Sequence, residues 1–181
     1  MLYPAQLYEG ELRTKFISVW YNSKYQWYFD EERYILNLPK DTQYRRDFVH
    51  LNKNGEVDGY FAYAYTELSK SMHNFGLVSF TDNPNYALIK DILNHTFNMV
   101  KNGLVQRIEL WAYADNPACK LYDKFCVRYG GHKLCTLHRS AFFNGKYHNT
   151  NIYEFLIEDM PKDASIDTFY VPISTDELIR E

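Results

Sequence analysis

A two-part unit that occurs twice constrains this chain most. Residues 75–80 (FGLVSF) form an apolar run, and Asp82-Asn83-Pro84 follows at once. Residues 107–114 (RIELWAYA) form a second run, followed by Asp115-Asn116-Pro117. An Asn side chain caps a helix by accepting a free amide of the first turn, and Pro suits the first helical position, where its missing N–H has no role. Each Asn-Pro leads into an apolar stripe of helical period. The first stripe is Tyr86, Ile89, Ile92, Leu93, Phe97 and Val100; the second is Ala118, Leu121, Tyr122, Phe125 and Tyr129. Gly103 ends one and Gly130-Gly131 the other. Two such units require a sheet covered by helices, and the step from FGLVSF to RIELWAYA is expected to be a right-handed parallel crossover.

The flanking segments extend the sheet. Residues 2–7 read as a short strand. Leu12, Phe16, Val19, Trp20 and Trp27 recur near the helical period from Glu11 onward. Residues 34–38 are ambiguous and Pro39 closes them. Residues 47–51 and 57–65 alternate around an Asn54-Gly55 turn, with Val57, Gly59, Phe61, Tyr63 and Tyr65 on one face. Residues 133–143 and 150–158 form a closing pair of strands around Asn144-Gly145. The order is strand, helix, three strands, helix, strand, helix, two strands, which is an α/β (α+β) domain over residues 1–161. Residues 162–181 are a polar C-terminal tail, in which Ser174 and Glu177 have capping-box spacing.

Composition narrows the function classes. The 181 residues suit one domain, and 46% apolar with 24% charged residues is globular. The excess is aromatic: 17 Tyr, 12 Phe and 3 Trp, enough for a core and an aromatic-lined groove. A net charge of −3 leaves no footprint for general nucleic-acid binding. Cys119, Cys126 and Cys135 are odd in number and irregularly spaced, which suits reduced thiols in a cytoplasm. No apolar run approaches the ~20 residues that span a bilayer, and the N-terminus lacks a leader pattern. No membrane association is expected.

The segment 116–125 (NPACKLYDKF) followed by Tyr129-Gly130-Gly131 resembles the second conserved motif of the GNAT acetyltransferase superfamily. In that motif an Asn follows the fifth strand and a helix carries a Leu-Tyr pair before a Gly. Leu137-His138-Arg139, residues 144–148 (NGKYH) and Ile152-Tyr153 resemble the closing strands of its bacterial members. The resemblance covers roughly residues 48–158. It implies a mixed, mostly antiparallel twisted sheet of about seven strands flanked by helices and splayed between strands four and five. It implies acyl transfer from acetyl-coenzyme A, as co-substrate, to an amine on a small molecule or peptide. The peptide-like cofactor arm would pair with strand backbone at the splay, as in strand addition. Val78, Ser79 and Phe80 would offer that backbone, and Asn116 would bond the arm. Tyr122 would protonate the leaving thiolate, although periodicity alone places it in the core stripe. Glu109 is a candidate base, with Glu67 and His73 as rivals. The aromatic closing strands could pair in a homodimer.

One departure stands out. The family's phosphate loop reads Gln or Arg, two residues, Gly, one residue, then Gly or Ala, so that backbone reaches the pyrophosphate at a helix start. Residues 81–89 (TDNPNYALI) contain neither Gly nor Arg nor Gln, and Asp82 brings negative charge. Two like charges 4 Å apart repel by about 1 kcal/mol in water and about 4 kcal/mol near a protein surface. The amides of Asn85, Tyr86 and Ala87 remain candidates for holding the cofactor. The alternative is a protein of this fold that has lost or altered cofactor binding and acts as a binding or regulatory module. A metal site is not expected. On a strand His132 and His138 face away from Cys135, and Cys119 with Cys126 matches no zinc spacing.

Overall fold

The computed structural model describes residues 1–22, 25, 27, 38 and 44–162. Along them run β1 (Leu2–Pro4), α1 (Glu9–Val19), β2 (Arg45–Leu51), β3 (Val57–Thr66), β4 (Ser71–Ser79), α2 (Tyr86–Lys101), β5 (Arg107–Tyr113), α3 (Ala118–Tyr129), β6 (His132–Phe143) and β7 (Lys146–Leu156). The strands form one sheet in the order β1-β2-β3-β4-β5-β7-β6. Neighbours are antiparallel except β4 and β5, which run parallel on either side of α2. Both strand–helix units are present. Of the ambiguous stretch 34–38 only Leu38 is described; Pro39 and the Ser174–Glu177 capping box lie outside the described residues.

The helices divide between the faces. On one, α1 packs Leu12 and Phe16 against Val49, Tyr60, Ala62 and Val78. On the other, α2 sets Ile92 and Val100 against Phe61 and Met72, while α3 sets Cys119 and Phe125 against Tyr153 and Phe155. Gly59 brings α2 close: a Cβ there would stand 2.6 Å from Leu88 Cδ2. Leu88 is fully buried in consequence, which stabilises the fold by about 1.5–3 kcal/mol.

Two bulges set the register. His50 pairs with Gly59 but Leu51 pairs with Val57, so Asp58 is an extra residue on β3. One extra residue reverses the alternation. Val57 therefore joins the α1 face, while Gly59, Phe61 and Tyr63 stay under α2, and the expectation that Val57 shares their face is corrected. The second bulge lies on β4, between the pairs Ala62–Gly76 and Ala64–His73, where Asn74 takes φ 51°. β4 pairs with β5 only at Ser71–Arg107 and Met72–Ile108, before this bulge. A bulge bends and twists its strand; here it turns β4 away from β5 and opens the splay.

Several boundaries differ from expectation: β7 begins at Lys146 instead of residue 150, and β1 ends at Pro4, where a short 3-10 turn takes over from the strand expected to residue 7. β4 begins at Ser71 because backbone pairing continues through the polar residues before the bulge. α2 begins after Asn85, whose side chain accepts the Leu88 N–H, so Asn83 is not the cap. α1 ends at Val19, and Trp27 lies beyond it.

Candidate functional site

Beyond the bulge the facing edges of β4 and β5 are unpaired, and hydrogen-bond parity tells which residues line the gap. The Phe80 N–H donates to the Asp58 carbonyl at 2.9 Å. Antiparallel partners alternate between bonded and non-bonded pairs, so Val78 also directs its backbone groups to β3, and Leu77 and Ser79 direct theirs to the gap. The Ser79 carbonyl accepts the Tyr25 hydroxyl at 2.9 Å on that side. On β5, Ala114 N–H donates to Asn149 and Ile157 N–H to Gln106, which commits alternate residues to β7 and leaves the backbone of Glu109 and Trp111 facing the gap. The expectation for Val78 and Phe80 is therefore corrected. Their backbone is spent on β3, and Leu77 joins Ser79 at the splay. Val78 instead buries its side chain under α1.

Behind the gap lies a cavity of about 160 Å³ between α2 and α3, lined almost wholly by apolar side chains. Its lining includes Leu77 of β4, Ile89 and Val100 of α2, Ile108 of β5 and Leu121 of α3, with Met160. Tyr122 projects into it, its ring edge-on to Tyr153 at 5.5 Å. Burial, with a smaller effect from Cys119, pushes its phenol up to about 12. Among the described residues its hydroxyl has no hydrogen-bond partner. The group is a protonated phenol at neutral pH, held in an apolar cavity that opens on unpaired strand backbone.

Glu109 faces the other way. Its neighbours Ile108 and Leu110 line the cavity, so its carboxylate lies on the opposite face of the sheet. Oε2 accepts from Arg107 at 2.8 Å and Oε1 from the Trp111 indole at 2.5 Å. Arg107 also reaches Glu154 at 2.6 Å. Both oxygens of Glu109 are thus engaged, which suits holding Trp111 in place better than removing a proton. Glu67 lies in the β3–β4 connection and His73 bonds Thr66 across those strands, both toward the closed end of the splay. His132, expected to bind no metal, pairs with Glu154 at 3.4 Å.

A cluster that the sequence did not suggest clamps the start of α3. Asp115 accepts from His148 Nδ1 at 3.0 Å and from Lys146 Nζ at 3.1 Å. His148 is buried, stacks on Phe143 with centroids 3.5 Å apart, and turns Nε2 to the Phe143 carbonyl at 3.3 Å. Trp27 and Tyr113 meet the same ring edge-on. Burial raises the Asp115 pKa, but the bonds from His148 and Lys146 outweigh it and hold the carboxyl below its ordinary value. The spacing from Asp115 to Lys146 and His148 is long in sequence, and only the β5–β7 register brings them together.

The two helix starts differ. At α3, Asn116 Oδ1 accepts the Ala118 N–H at 2.9 Å, which leaves its Nδ2 as a donor beside the gap. At α2, Asn85 is spent as the cap, the Tyr86 N–H turns back to the Pro84 carbonyl at 3.2 Å, and Leu88 N–H goes to Asn85. Among the described residues the Ala87 amide has no hydrogen-bond acceptor, and Asp82 stands exposed nearby in sequence.

No protein-family model and no curated protein sequence matches the chain. Solved structures do. The chain is similar to RimL, the ribosomal L7/L12 alpha-N-protein acetyltransferase in complex with coenzyme A, at 15% identity and TM-score 0.70, covering 87% of this chain and 94% of that one. It is similar to the spermidine N-acetyltransferase of Vibrio cholerae in complex with CoA and spermine, at 20% identity and TM-score 0.66, covering 88% and 96%. It is also similar to the microcin C7 self immunity acetyltransferase MccE in complex with acetyl-CoA and AMP, at 16% identity and TM-score 0.64, covering 86% and 90%. At these identities the likeness establishes the fold: the chain carries the GNAT fold, splayed between β4 and β5.

Proposed function

We propose that this protein is an N-acetyltransferase that moves an acetyl group from acetyl-coenzyme A to a primary amine by direct attack, with Tyr122 as general acid. The observation that carries the reading is the Tyr122 phenol, protonated at neutral pH and projecting into an apolar cavity that opens on the splayed strand edges. The fold neighbours, named as N-acetyltransferases and in several cases bound to coenzyme A or acetyl-CoA, support the same reaction class.

The chain's residues fit the arm of the cofactor better than its phosphate end. Leu77 and the Ser79 N–H on β4 and Trp111 on β5 offer backbone groups at the spacing of a strand pair, the Ser79 carbonyl being held by Tyr25, and Asn116 Nδ2 offers a donor. Asn85 caps α2 instead of binding, and Tyr86 and Ala87 supply the helix-start amides, of which Ala87 is the better donor. Bound there, the co-substrate supplies an activated acyl thioester. Tyr122 gives its proton to the departing sulfur, and the apolar walls keep water from the thioester. The acceptor amine approaches from the α1 face, where Trp111, Tyr113 and Trp27 form an aromatic wall. Glu109 positions Trp111 in that wall; as the base it would first have to give up a bond from Arg107 or Trp111.

The glycine-free loop at 81–85 supports a second reading, a binding or regulatory module with altered cofactor binding. Thiol release from acetyl-CoA in the presence of a panel of amines separates the two. The panel contains a peptide N-terminus, a lysine, a polyamine and an aminoglycoside. Amine-dependent release that is abolished by heat-unfolding supports the enzyme. Absence of release with every amine, together with no binding of acetyl-CoA or CoA at millimolar concentration, favours the module.

A further inference from the structure

We infer that the open groove between α2 and strands β2 and β3 is a second binding site, and that its ligand is a small aromatic carboxylate whose anionic group sits on Arg46. The site lies outside the splay and does not depend on acyl transfer.

Alternate strand residues build its floor. Arg46 and Phe48 on β2, and Tyr63 and Tyr65 on β3, face α2 together, with Arg46 directly opposite Tyr63. β1 pairs with β2 only as far as Phe48, so the Arg46 end of the strand stays open. His95 and Met99, one turn apart on α2, form the wall beside this floor. The groove measures about 440 Å³, almost three times the ~150 Å³ that encloses one benzene ring. None of its lining residues lines the cavity that holds Tyr122, so the two occupy different flanks of α2.

The polar groups of the groove are few, and the decisive one is unanswered. Arg46 is exposed, and among the described residues its guanidinium has neither an ion pair nor a hydrogen bond. Its neighbour Arg45, by contrast, is held by Asp47 and Tyr60. The Arg46 charge is felt across the groove. Burial pushes the Tyr63 phenol up to about 12 and Arg46 opposes it; burial lowers the His95 pKa and Arg46 adds to it. The Tyr63 hydroxyl meets His95 Nε2 at 2.9 Å and Met99 Sδ at 3.1 Å, which leaves Nδ1 of His95 without a partner among the described residues. The Tyr65 hydroxyl donates to the Leu104 carbonyl at 2.7 Å, which holds its ring in the lining.

These groups select the ligand. A carboxylate matches a lone guanidinium in charge and takes two parallel bonds from its fork. A phosphate dianion would carry a second charge past Arg46 toward Glu67, the one carboxylate in the lining. A cationic ligand would meet Arg46 with like charge. The body of the ligand is aromatic because Phe48 and Tyr65 are only partly buried and both line the groove. Phe48 already lies within 22° of the Tyr63 ring plane, with centroids 6.1 Å apart. A further ring gains from such neighbours beyond the area it buries, and the flexible Met99 thioether adapts to its edge.

The test is binding of naphthoate to the full-length protein by calorimetry, beside neutral naphthamide, cationic naphthylmethylamine and saturated decahydronaphthoate. Naphthoate is expected to bind at least about tenfold more tightly than each of the three. Its amide shifts are expected at Tyr65, His95, Met99 and Leu104, and not at Leu77, Ser79 or Trp111. Arg46→Gln is expected to lower naphthoate affinity at least about tenfold and to leave naphthamide within about twofold. The wild-type comparison of acid with amide stands by itself should that variant not fold. No binding at millimolar naphthoate, equal affinity for acid and amide, or affinity unchanged in Arg46→Gln overturns the inference. Shifts confined to the β4–β5 gap overturn it as well, and each of these results leaves the acyl-transfer reading untouched.

Discussion

Replacing Tyr122 by Phe removes one oxygen and leaves the ring, with its edge-on contact to Tyr153 at 5.5 Å, in place. That hydroxyl sits half-buried in an apolar cavity with no hydrogen-bond partner among the described residues. Tyr122 Oη is not among the fully buried polar atoms that lack a partner, so its loss is expected to change stability by less than about 1 kcal/mol. Catalysis is expected to move much further. A positioned general acid contributes about 10²–10⁴-fold, which is a rise of about 3–5 kcal/mol in the barrier. Because the phenol's pKa is about 12, about one molecule in 10⁵ is ionised at pH 7. The wild-type rate therefore shows no alkaline loss from this group below about pH 10. The assay pairs steady-state thiol release with urea unfolding of Tyr122→Phe. The expected outcome is a kcat lower by at least about 100-fold, KM within about twofold, and a urea midpoint close to that of wild type. A kcat within about twofold of wild type removes Tyr122 from the reaction. A clearly lowered midpoint would assign it to packing instead.

Three further outcomes follow from the same fold. Gly130→Ala is expected to cost about 2–4 kcal/mol in denaturant unfolding, because φ is +73° and the new Cβ would stand 2.5 Å from the Asp159 carbonyl oxygen. Asp115 has its pKa depressed on folding, so its contribution to stability is full above the unfolded carboxyl value and is lost as pH falls through the folded one. Urea midpoints measured from about pH 6 to pH 3 should fall more steeply for wild type than for Asp115→Asn; parallel curves would contradict the clamp. Burial first, and the Arg46 charge second, lower the His95 pKa, so the fold prefers the neutral ring and loses stability as pH drops below the ordinary imidazole value. His95→Gln should remove that loss between about pH 7 and pH 5, and an unchanged slope would count against it.

What the sequence made legible follows from which signals are local. The stripes behind the two Asn-Pro pairs and the glycines that end them are decided within a few residues, and α2 and α3 follow those pairs, α3 directly after Pro117 and α2 only after Asn85. The bulges at Asp58 and Asn74 are not local. Each depends on which residue of the neighbouring strand sits opposite, and alternation read along one strand cannot detect a residue added to the pair. That is why Val57 was expected on the wrong face and why β4 was expected to start at Phe75 instead of Ser71. The same blindness covered the splay edges, since Leu77 was passed over for Val78 although parity alone separates them. The helix cap moved from Asn83 to Asn85 because Asn85 also reaches the Asp58 carbonyl across the bulge, at 3.5 Å. Asp115, Lys146 and His148 gave no signal because ordinary charged residues far apart in sequence carry none.

Binding of acetyl-coenzyme A at the splay is the central claim, and amide chemical-shift mapping of the labelled protein tests it most directly. Titration is expected to move the amides of Leu77, Ser79 and Trp111 together with Ala87 and the Asn116 side-chain amide, and to move those of Val78 and Phe80 less, because their N–H groups remain on β3. No movement at millimolar acetyl-coenzyme A, or movement confined to residues away from the β4–β5 gap, would contradict the account.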